Sequence, residues 1–339
     1  MNNDKYNFDD ITPLPVSDEA PETKDVVLCK IMYTVEFETV FSYLRALMAK
    51  DELSERAMYV ACCAISIVPA HYTVWEYKYR IVEKLVCECK YDVDEELKWC
   101  ADLALNNEKN YQIWNYRERV IELKIKHGLG GDKLQYDLDG EYEVVRQMLD
   151  SDEKNYHVWS HKRWIVSYFD LFRSDRELAY TQELIDRDVR NNSAWNFRHL
   201  VVFGDESPLE NGRLTSEVEF AKQYIASSIT NPSSWNYLKF LYSFCTKAQA
   251  LGEPEACACV ALIRTLASEY SCNENLDDDF SKVLEEQRLS VPAFELLGDI
   301  YRDEGKMEQM RKVYRLLGEE LDPVRRNYWA YRTSLCQTG

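Results

Sequence analysis

Glycine and proline are scarce in this chain, which has 11 of the first and 9 of the second among 339 residues. An all-β protein of this length needs many tight turns, and glycine and proline normally supply them. Hydrophobic residues nevertheless make up 46% of the chain and aromatic residues 13%, enough for a sizeable core. The lack of turn-forming residues in so apolar a chain favours a helical fold.

Positive charge is also in short supply, since 41 lysines and arginines stand against 59 acidic residues and leave a net charge of −18. Nucleic-acid binding needs a basic face, so this balance argues against nucleic acid as the main partner. It is typical of a solvated acidic exterior, and it also fits long-range attraction of a basic partner or peptide. The charge alone leaves both interpretations open.

Signatures of metal sites, disulfides and membrane insertion are missing too. The 11 cysteines include no CxxC pair and no cluster with histidines at zinc-finger spacing, and their odd number does not suit a disulfide framework. The N-terminal residues MNNDKYNFDD lack a basic-then-apolar signal, and no run approaches the roughly 18 apolar residues that cross a membrane. We therefore expect a soluble cytoplasmic protein with no metal site of its own and no integral membrane segment.

What the chain does contain is a repeat centred on tryptophan. Successive copies are 39, 45, 36, 40 and 94 residues apart, and the last gap is about two periods. A degenerate unit without tryptophan is therefore expected inside that gap, around 291–306. The repeated tryptophans are Trp75, Trp114, Trp159, Trp195, Trp235 and Trp329.

The positions around each tryptophan have physical roles. An asparagine four residues before it, a preferred helix N-cap, occurs in four units. An aromatic residue or histidine stands two residues after it and an aliphatic residue six after it, in all six units. A base three residues after it shares a helix face with the tryptophan, which suits a structural role in every repeat. These bases are Lys78, Arg117, Lys162, Arg198 and Arg332.

Amphipathic stretches ending in short polar links precede every tryptophan segment except the last, so each period predicts a helix, a turn and a second helix. One such hairpin cannot bury its apolar face alone, and neighbouring hairpins must therefore stack. The predicted fold class is all-α, a solenoid of helical hairpins over 26–339. Before it, acidic residues and three prolines in 1–25 predict a flexible N-terminal arm.

The N-Y-x-x-W-x-x-R frame resembles the repeat of protein prenyltransferase α subunits, and five or six copies at these spacings make the match specific. The segments FDDITPLPV (8–16) and FSYLRALMAKDELSERAM (41–58) look like the start of the farnesyltransferase/geranylgeranyltransferase type I α subunit. The resemblance covers about 8–339 and weakens over 245–320, where no tryptophan frame is visible.

The resemblance implies a right-handed, crescent-shaped α-α superhelix that forms an obligate heterodimer with a β subunit. In that family the β subunit holds a catalytic zinc, and magnesium accompanies the diphosphate. The enzyme transfers farnesyl, or geranylgeranyl with another β subunit, from the prenyl diphosphate to the cysteine of Cys-a-a-X proteins such as Ras-like GTPases.

The resemblance also assigns four candidate site residues. Negative charge builds up on the departing diphosphate, so a cation or hydroxyl beside it lowers the barrier. The family lysine that approaches the diphosphate matches Lys154, and the tyrosine near the isoprenoid and diphosphate matches Tyr156. Gln112 falls where a family glutamine bonds the peptide C-terminal carboxylate. His199 replaces a tyrosine that often contacts diphosphate, and its ring can still donate a hydrogen bond.

Each of these four residues also has an ordinary structural role open to it: exposed turn lysine, packed tyrosine, polar first-turn residue or buried histidine. Two other functions stay open as well. A Rab-type geranylgeranyltransferase α subunit is expected to carry a different N-terminus and often extra domains. A non-catalytic scaffold like the tetratricopeptide-repeat proteins would only bind partners.

Overall fold

The structure is a computed structural model, and the residues it describes are 5–16, 31–129, 131, 133–205, 207–271 and 289–335. Across these residues the regular elements are helices, and none is a β-strand. No helix in this part of the chain is long and apolar enough to cross a membrane. Contacts group the chain into two compact units, Met1–Phe169 and Asp170–Gly339, which we call unit 1 and unit 2.

Unit 1 is a series of helical hairpins. Helices α2 and α3, α4 and α5, and α6 and α7 pair along the chain, and α5 also contacts both α3 and α7. The helices are α1 (Val35–Ala49), α2 (Glu55–Ile67), α3 (Tyr72–Cys87), α4 (Val93–Asn106), α5 (Tyr111–Lys126), α6 (Asp139–Ser151) and α7 (Tyr156–Phe169).

Unit 2 continues the pattern, with α8 paired to α9, α10 to α11, α12 to α13 and α14 to α15, and α13 also contacts α14. Its helices are α8 (Asp175–Arg187), α9 (Asn192–Phe203), α10 (Arg213–Ser227), α11 (Pro232–Ala250), α12 (Pro254–Glu269), α13 (Val291–Asp303), α14 (Met307–Leu316) and α15 (Arg326–Ser334). A π-helical segment (Leu317–Leu321) and a 3₁₀ turn (Pro323–Arg325) join α14 to α15. The helix expected around 291–306 is α13.

The asparagine caps predicted from the repeat are confirmed. In each of four helices the asparagine side-chain oxygen accepts a hydrogen bond from the N–H two residues on, at 2.9 to 3.1 Å. This satisfies a backbone donor that the first helical turn would otherwise leave free. The capping residues are Asn110, Asn155, Asn191 and Asn231.

Three of these asparagines, Asn110, Asn155 and Asn231, also donate to a loop carbonyl of the preceding hairpin. The Pro69 oxygen accepts from the indole Nε1 of Trp75 at 2.8 Å and from Nδ2 of Asn110, in the next hairpin, at 2.6 Å. The pattern recurs in unit 2 with Val189 as acceptor, and with Ile229 as acceptor from a serine instead. Each such carbonyl fixes one hairpin against the next.

A buried glutamate forms the second bond between hairpins. The frame base of one hairpin reaches a glutamate on the first helix of the next, and the frame aromatic residue of that second hairpin also binds it. Glu217, 1% exposed, accepts from Arg198 at 2.7 and 2.8 Å and from the Tyr237 hydroxyl at 2.8 Å. The equivalent glutamates in unit 1 are Glu96 and Glu141.

The last repeat departs from the frame. The aliphatic position six after tryptophan is fully buried in the five earlier units, but Leu335 is 53% exposed and Tyr331 is 58% exposed. Tyr331 lies within α15, and Leu335 directly follows its last residue, Ser334. Arg332 still finds a buried acid, Asp299 on α13.

The expected N-terminal arm is described only over 5–16, and there it lies against the helices. Arg56 of α2 donates to the Asn7 carbonyl at 2.8 Å and pairs with the Asp10 carboxylate at 2.6 Å. Ile11 is 4% exposed, and the Arg45 guanidinium of α1 binds the Pro15 carbonyl at 2.6 Å. The rest of 1–25 lies outside the described residues, and the domain boundary at 25 stays a prediction.

We expect Glu217→Gln to lower the free energy of unfolding by about 3 kcal/mol, because it leaves the Arg198 charge buried without its carboxylate. Urea denaturation followed by circular dichroism measures this. The matched control is Glu219→Gln on the same helix. Glu219 forms a solvent-exposed ion pair with Lys222, and loss of that pair should lower the free energy of unfolding by less than about 1 kcal/mol. Equal losses in the two variants would contradict the structural role of the buried pair.

Candidate functional site

The first turns of α5 and α7 carry two of the four residues predicted from the sequence, Gln112 and Tyr156, and a third, Lys154, directly precedes the residue that caps α7. Asn110 and Asn155 cap these helices, which puts Tyr111 and Tyr156 at the first helical position. Both tyrosines point outward, with 63% and 67% of their surface exposed. A helix N-terminus also presents free N–H groups and partial positive charge, which favours anions. The two turns together present two exposed tyrosines, Tyr111 and Tyr156, beside two electropositive helix ends.

Gln112 lies one residue beyond Tyr111 and is 7% exposed. Its Oε1 is buried and has no hydrogen-bond partner among the residues that the structure describes. An unpaired buried amide oxygen costs about 1–3 kcal/mol, so a polar group is expected to meet this side chain. Rotation about the terminal bond presents either the oxygen or the NH₂ group at that point.

A cavity of about 760 Å³ opens beside Gln112. Its lining includes Pro69 from the preceding hairpin and, from the link into α5, Glu108, Lys109 and Tyr111. The shared-carbonyl bond between Asn110 and Pro69 therefore builds one wall of this cavity. The repeat junction and the candidate site are the same piece of structure.

His157 connects the two first turns, although the sequence analysis did not select it. Its ring lies 3.8 Å from the Tyr156 ring and 6.3 Å from the Tyr111 ring, centroid to centroid. The structure thus brings Gln112 and Tyr156 into one neighbourhood, through Tyr111 and His157. Burial lowers the pKa of His157, the nearby Lys109 carbonyl partly opposes this, and the charge of Lys109 adds to the lowering. The lowered pKa favours the neutral ring at physiological pH.

Two lysines occupy the same place in successive repeats. Lys109 pairs with Asp152 across the junction, which raises the lysine pKa, and it lines the Gln112 cavity. Lys154, the residue selected from the sequence, is exposed, and its backbone N–H donates to the Asp152 side chain at 3.1 Å. Its ammonium is not part of the cavity lining.

Lys109 and His157 are the residues that sequence reasoning missed. The segment Glu-Lys-Asn-Tyr occurs twice, at 108–111 and again at 153–156. The local sequence therefore does not distinguish Lys109 from Lys154 as a candidate site residue. His157 follows the second copy as Gln112 follows the first, and that correspondence was the available signal.

His199 belongs to unit 2, on α9. Its ring centroid lies 4.0 Å from that of Phe240, edge to face, and 5.8 Å from that of Phe203. The side chain is half-buried, and burial lowers its pKa, so the neutral ring is favoured. These contacts suit packing as well as hydrogen bonding, and the predicted contact with diphosphate stays a prediction.

The candidate site offers no evident metal ligands. Across the described ranges, no group of three or more histidine, cysteine, aspartate or glutamate side chains could hold a metal ion. Asp152 is already paired with Lys109, and the Glu108 carboxylate in the cavity lining accepts from the Ser151 hydroxyl. The site is therefore suited to binding an anion through cations, hydroxyls and amides.

Lowering the pH should destabilise the protein partly through His157. Its pKa is lower in the folded protein, so the unfolded chain takes up the proton first as the pH falls below about 6.5. Stability is then lost from that pH down to the folded pKa. We expect His157→Gln to reduce the drop in thermal midpoint between neutral and mildly acidic pH, measured by circular dichroism. The same change at exposed His127 is the control, and identical profiles for the two variants would refute the assignment.

The model for the protein prenyltransferase alpha subunit repeat matches 93–123, 138–169 and 174–204. The protein farnesyltransferase/geranylgeranyltransferase type-1 subunit alpha of Candida albicans is 34% identical over 98% of both chains. The pea (Pisum sativum) subunit of the same name is 34% identical over 96% of this chain and 92% of its own length.

A solved structure agrees with these relatives. A chain of Candida albicans protein geranylgeranyltransferase-I complexed with GGPP superposes with a TM-score of 0.81 at 31% identity, covering 98% of this chain and 100% of its own. The all-α hairpin fold class predicted from the sequence is thereby confirmed. By contrast, a yeast (Saccharomyces cerevisiae) geranylgeranyl transferase type-2 subunit alpha is 28% identical over only 50% of this chain and 39% of its own length. From its repeats, its near-complete alignment with type-1 subunits and its fold, the chain belongs to the protein prenyltransferase α-subunit family.

Proposed function

We propose that this chain is the α subunit of a heterodimeric protein prenyltransferase that works in the cytoplasm. With one β partner the enzyme transfers farnesyl, and with another geranylgeranyl, to the cysteine of a C-terminal Cys-a-a-X sequence. The observation that carries the site assignment is the grouping of Lys109, Tyr111, Gln112, Tyr156 and His157 at two adjoining helix N-termini. Those termini favour anions, and both the prenyl diphosphate and the peptide C-terminus are anionic.

The reaction explains why these side chains are useful. The substrate cysteine thiolate attacks C1 of the prenyl diphosphate, a C–S bond forms, and the C–O bond breaks with its electron pair leaving on diphosphate. The transition state therefore gathers negative charge on the leaving group, and cations or hydroxyls fixed beside it lower the barrier. We assign this role to Lys154 and Tyr156, with Lys109 as a second cation and with His199 as a further hydrogen-bond donor.

Gln112 is proposed to bind the peptide. Its side chain is buried in the first turn of α5, its terminal oxygen has no partner among the described residues, and the residue lines the cavity. An amide NH₂ donates well to a carboxylate, which is the group at the end of every Cys-a-a-X sequence. Proper placement of that carboxylate orients the cysteine four residues from the end.

The described residues of this chain include no group of side chains that could hold a metal ion. In this proposal zinc and magnesium are therefore bound elsewhere in the complex. We assign zinc to the β subunit, where it would keep the substrate thiol deprotonated, and magnesium to the diphosphate oxygens. The contribution of the α subunit is then to bind anions and exclude water around them.

A protein that only bound partners would not need this grouping. A scaffold gains nothing from leaving a buried glutamine oxygen unpaired in a cavity that Lys109 also lines, since an unpaired buried oxygen costs stability. A Rab-type α subunit is the weaker alternative, because the similarity to a type-2 subunit covers only half of this chain.

We expect this chain to have no prenyltransferase activity alone, and to become active when co-expressed with a cognate type-1 β subunit. The assay measures farnesyl and geranylgeranyl transfer to a peptide ending in Cys-a-a-X, with the cysteine replaced by serine as the control substrate. A stable chain that never co-purifies with a type-1 β subunit would refute the proposed function.

Within the active complex, Lys109→Ala and Lys154→Ala should each lower kcat by about tenfold or more while changing the KM for peptide little, because both act on charge that appears in the transition state. Lys126→Ala is the matched control, since it removes the same charge from the far end of α5. An unchanged kcat in either variant would remove the role assigned to that lysine.

A further inference from the structure

A second cavity lies in unit 2, between α14, α15 and the π-helical segment that joins them. Its volume is about 580 Å³, within the range of small-molecule sites. Arg311, Tyr314 and Arg315 of α14 line one side of it, and Arg326 and Trp329 of α15 line the other. None of these residues takes part in the site proposed above.

The charge of the lining is opposite to that of the whole chain. Three arginines line the cavity and face one acid, Glu319, whereas the chain as a whole carries a charge of −18. In the part of the chain that the structure describes, no carboxylate lies within ion-pair distance of Arg311 or Arg315. Arg326 donates to the Gly318 carbonyl at 3.3 Å. Three guanidinium groups thus keep hydrogen-bond donors available in one small space.

Two acids next to the cavity, Asp322 and Asp299, already have partners. Asp322 accepts from the Trp329 indole at 2.8 Å and from Arg325 at 2.5 Å. Asp299 pairs with Arg332. These carboxylates neutralise Arg325 and Arg332, which flank the cavity. They do not pair with the three arginines that line it. The pattern separates two structural arginines from three that are free to meet a ligand.

The backbone is also unusual at this place. The segment Leu317–Leu321 is π-helical, a rare conformation that is common at functional sites. It brings Gly318 against α15, where a Cβ atom would already lie 3.4 Å from Cβ of Trp329. This close approach holds Arg326 opposite Arg311 and Arg315, so the three arginines come from two helices.

We propose that this cavity binds a phosphate-bearing anion. A guanidinium group presents a planar fork of N–H donors that matches phosphate oxygens, and a phosphate monoester carries about 1.5 to 2 negative charges at neutral pH. Three arginines suit a group with several charges better than a single carboxylate. A phosphorylated small molecule and a phospholipid headgroup share this chemistry, and Glu319 limits the net lining charge to plus two.

The test uses the complete complex of this chain with its β partner. Isothermal titration calorimetry measures binding of inositol hexakisphosphate, and flotation measures binding to phosphatidylcholine vesicles with and without phosphatidylserine. We expect saturable binding of the soluble probe and at least a tenfold loss of affinity in the Arg311→Gln/Arg315→Gln double variant. Both arginines are exposed, so folding should be kept, and circular dichroism checks this.

Lys312→Gln is the matched control, because Lys312 lies on the same helix, pairs with Glu308 at 3.6 Å and does not line the cavity. Its affinity should stay within about twofold of wild type. Vesicle binding that depends on phosphatidylserine and on the two arginines identifies a lipid headgroup, and binding of the soluble probe alone identifies a free ligand. Absence of binding in both arms, or equal loss in the double variant and in Lys312→Gln, would overturn the proposal.

Discussion

The buried glutamate between neighbouring hairpins is the interaction on which the rest of the structure depends. A carboxylate such as Glu141 loses its hydration on burial, which alone would raise its pKa. Arg117 from the hairpin before and His161 from its own hairpin outweigh that cost and lower the pKa of Glu141 to about 2. Such a group is stable only while both neighbours stay in place. The contact therefore specifies which helix follows which, beyond what apolar packing can do.

The asparagine caps turn this regular stack into a support for chemistry. Asn110 uses its oxygen to start α5 and its NH₂ group to hold the Pro69 carbonyl of the preceding hairpin. One side chain thus fixes both the direction of the helix and its distance from its neighbour. Tyr111 and Gln112 follow Asn110 in the first turn of α5, so the cap also fixes their positions. The capping asparagine shared by several repeats positions the site, and Gln112 and His157, which differ between the two repeats, occupy the same place in each first turn.

The sequence was sufficient for the hairpins because their signals are local. Tryptophan spacing, asparagine caps and aliphatic positions all act within one helix, and they predicted the helices and their order. The partners of the frame bases could not be predicted, because Glu217 lies on another helix and is one of 59 acidic residues. The site was predicted in part for a related reason. Lys109 and Lys154 have the same local sequence, and only the cavity beside Gln112 distinguishes them.

The inter-hairpin pairs also give the chain a direction with a consequence for how it can change in evolution. In three places a hairpin offers a base to the hairpin after it, which supplies the carboxylate: Lys78 with Glu96, Arg117 with Glu141 and Arg198 with Glu217. Duplication or loss of a whole period keeps these bases paired with carboxylates. Duplication or loss of part of a period leaves a buried charge without its partner. Insertions and deletions of a few residues are therefore expected in the links between helices. The long 127–138 connection between α5 and α6 is such a link. A lineage of such proteins should differ by entire hairpins or by loop length, and seldom by anything between.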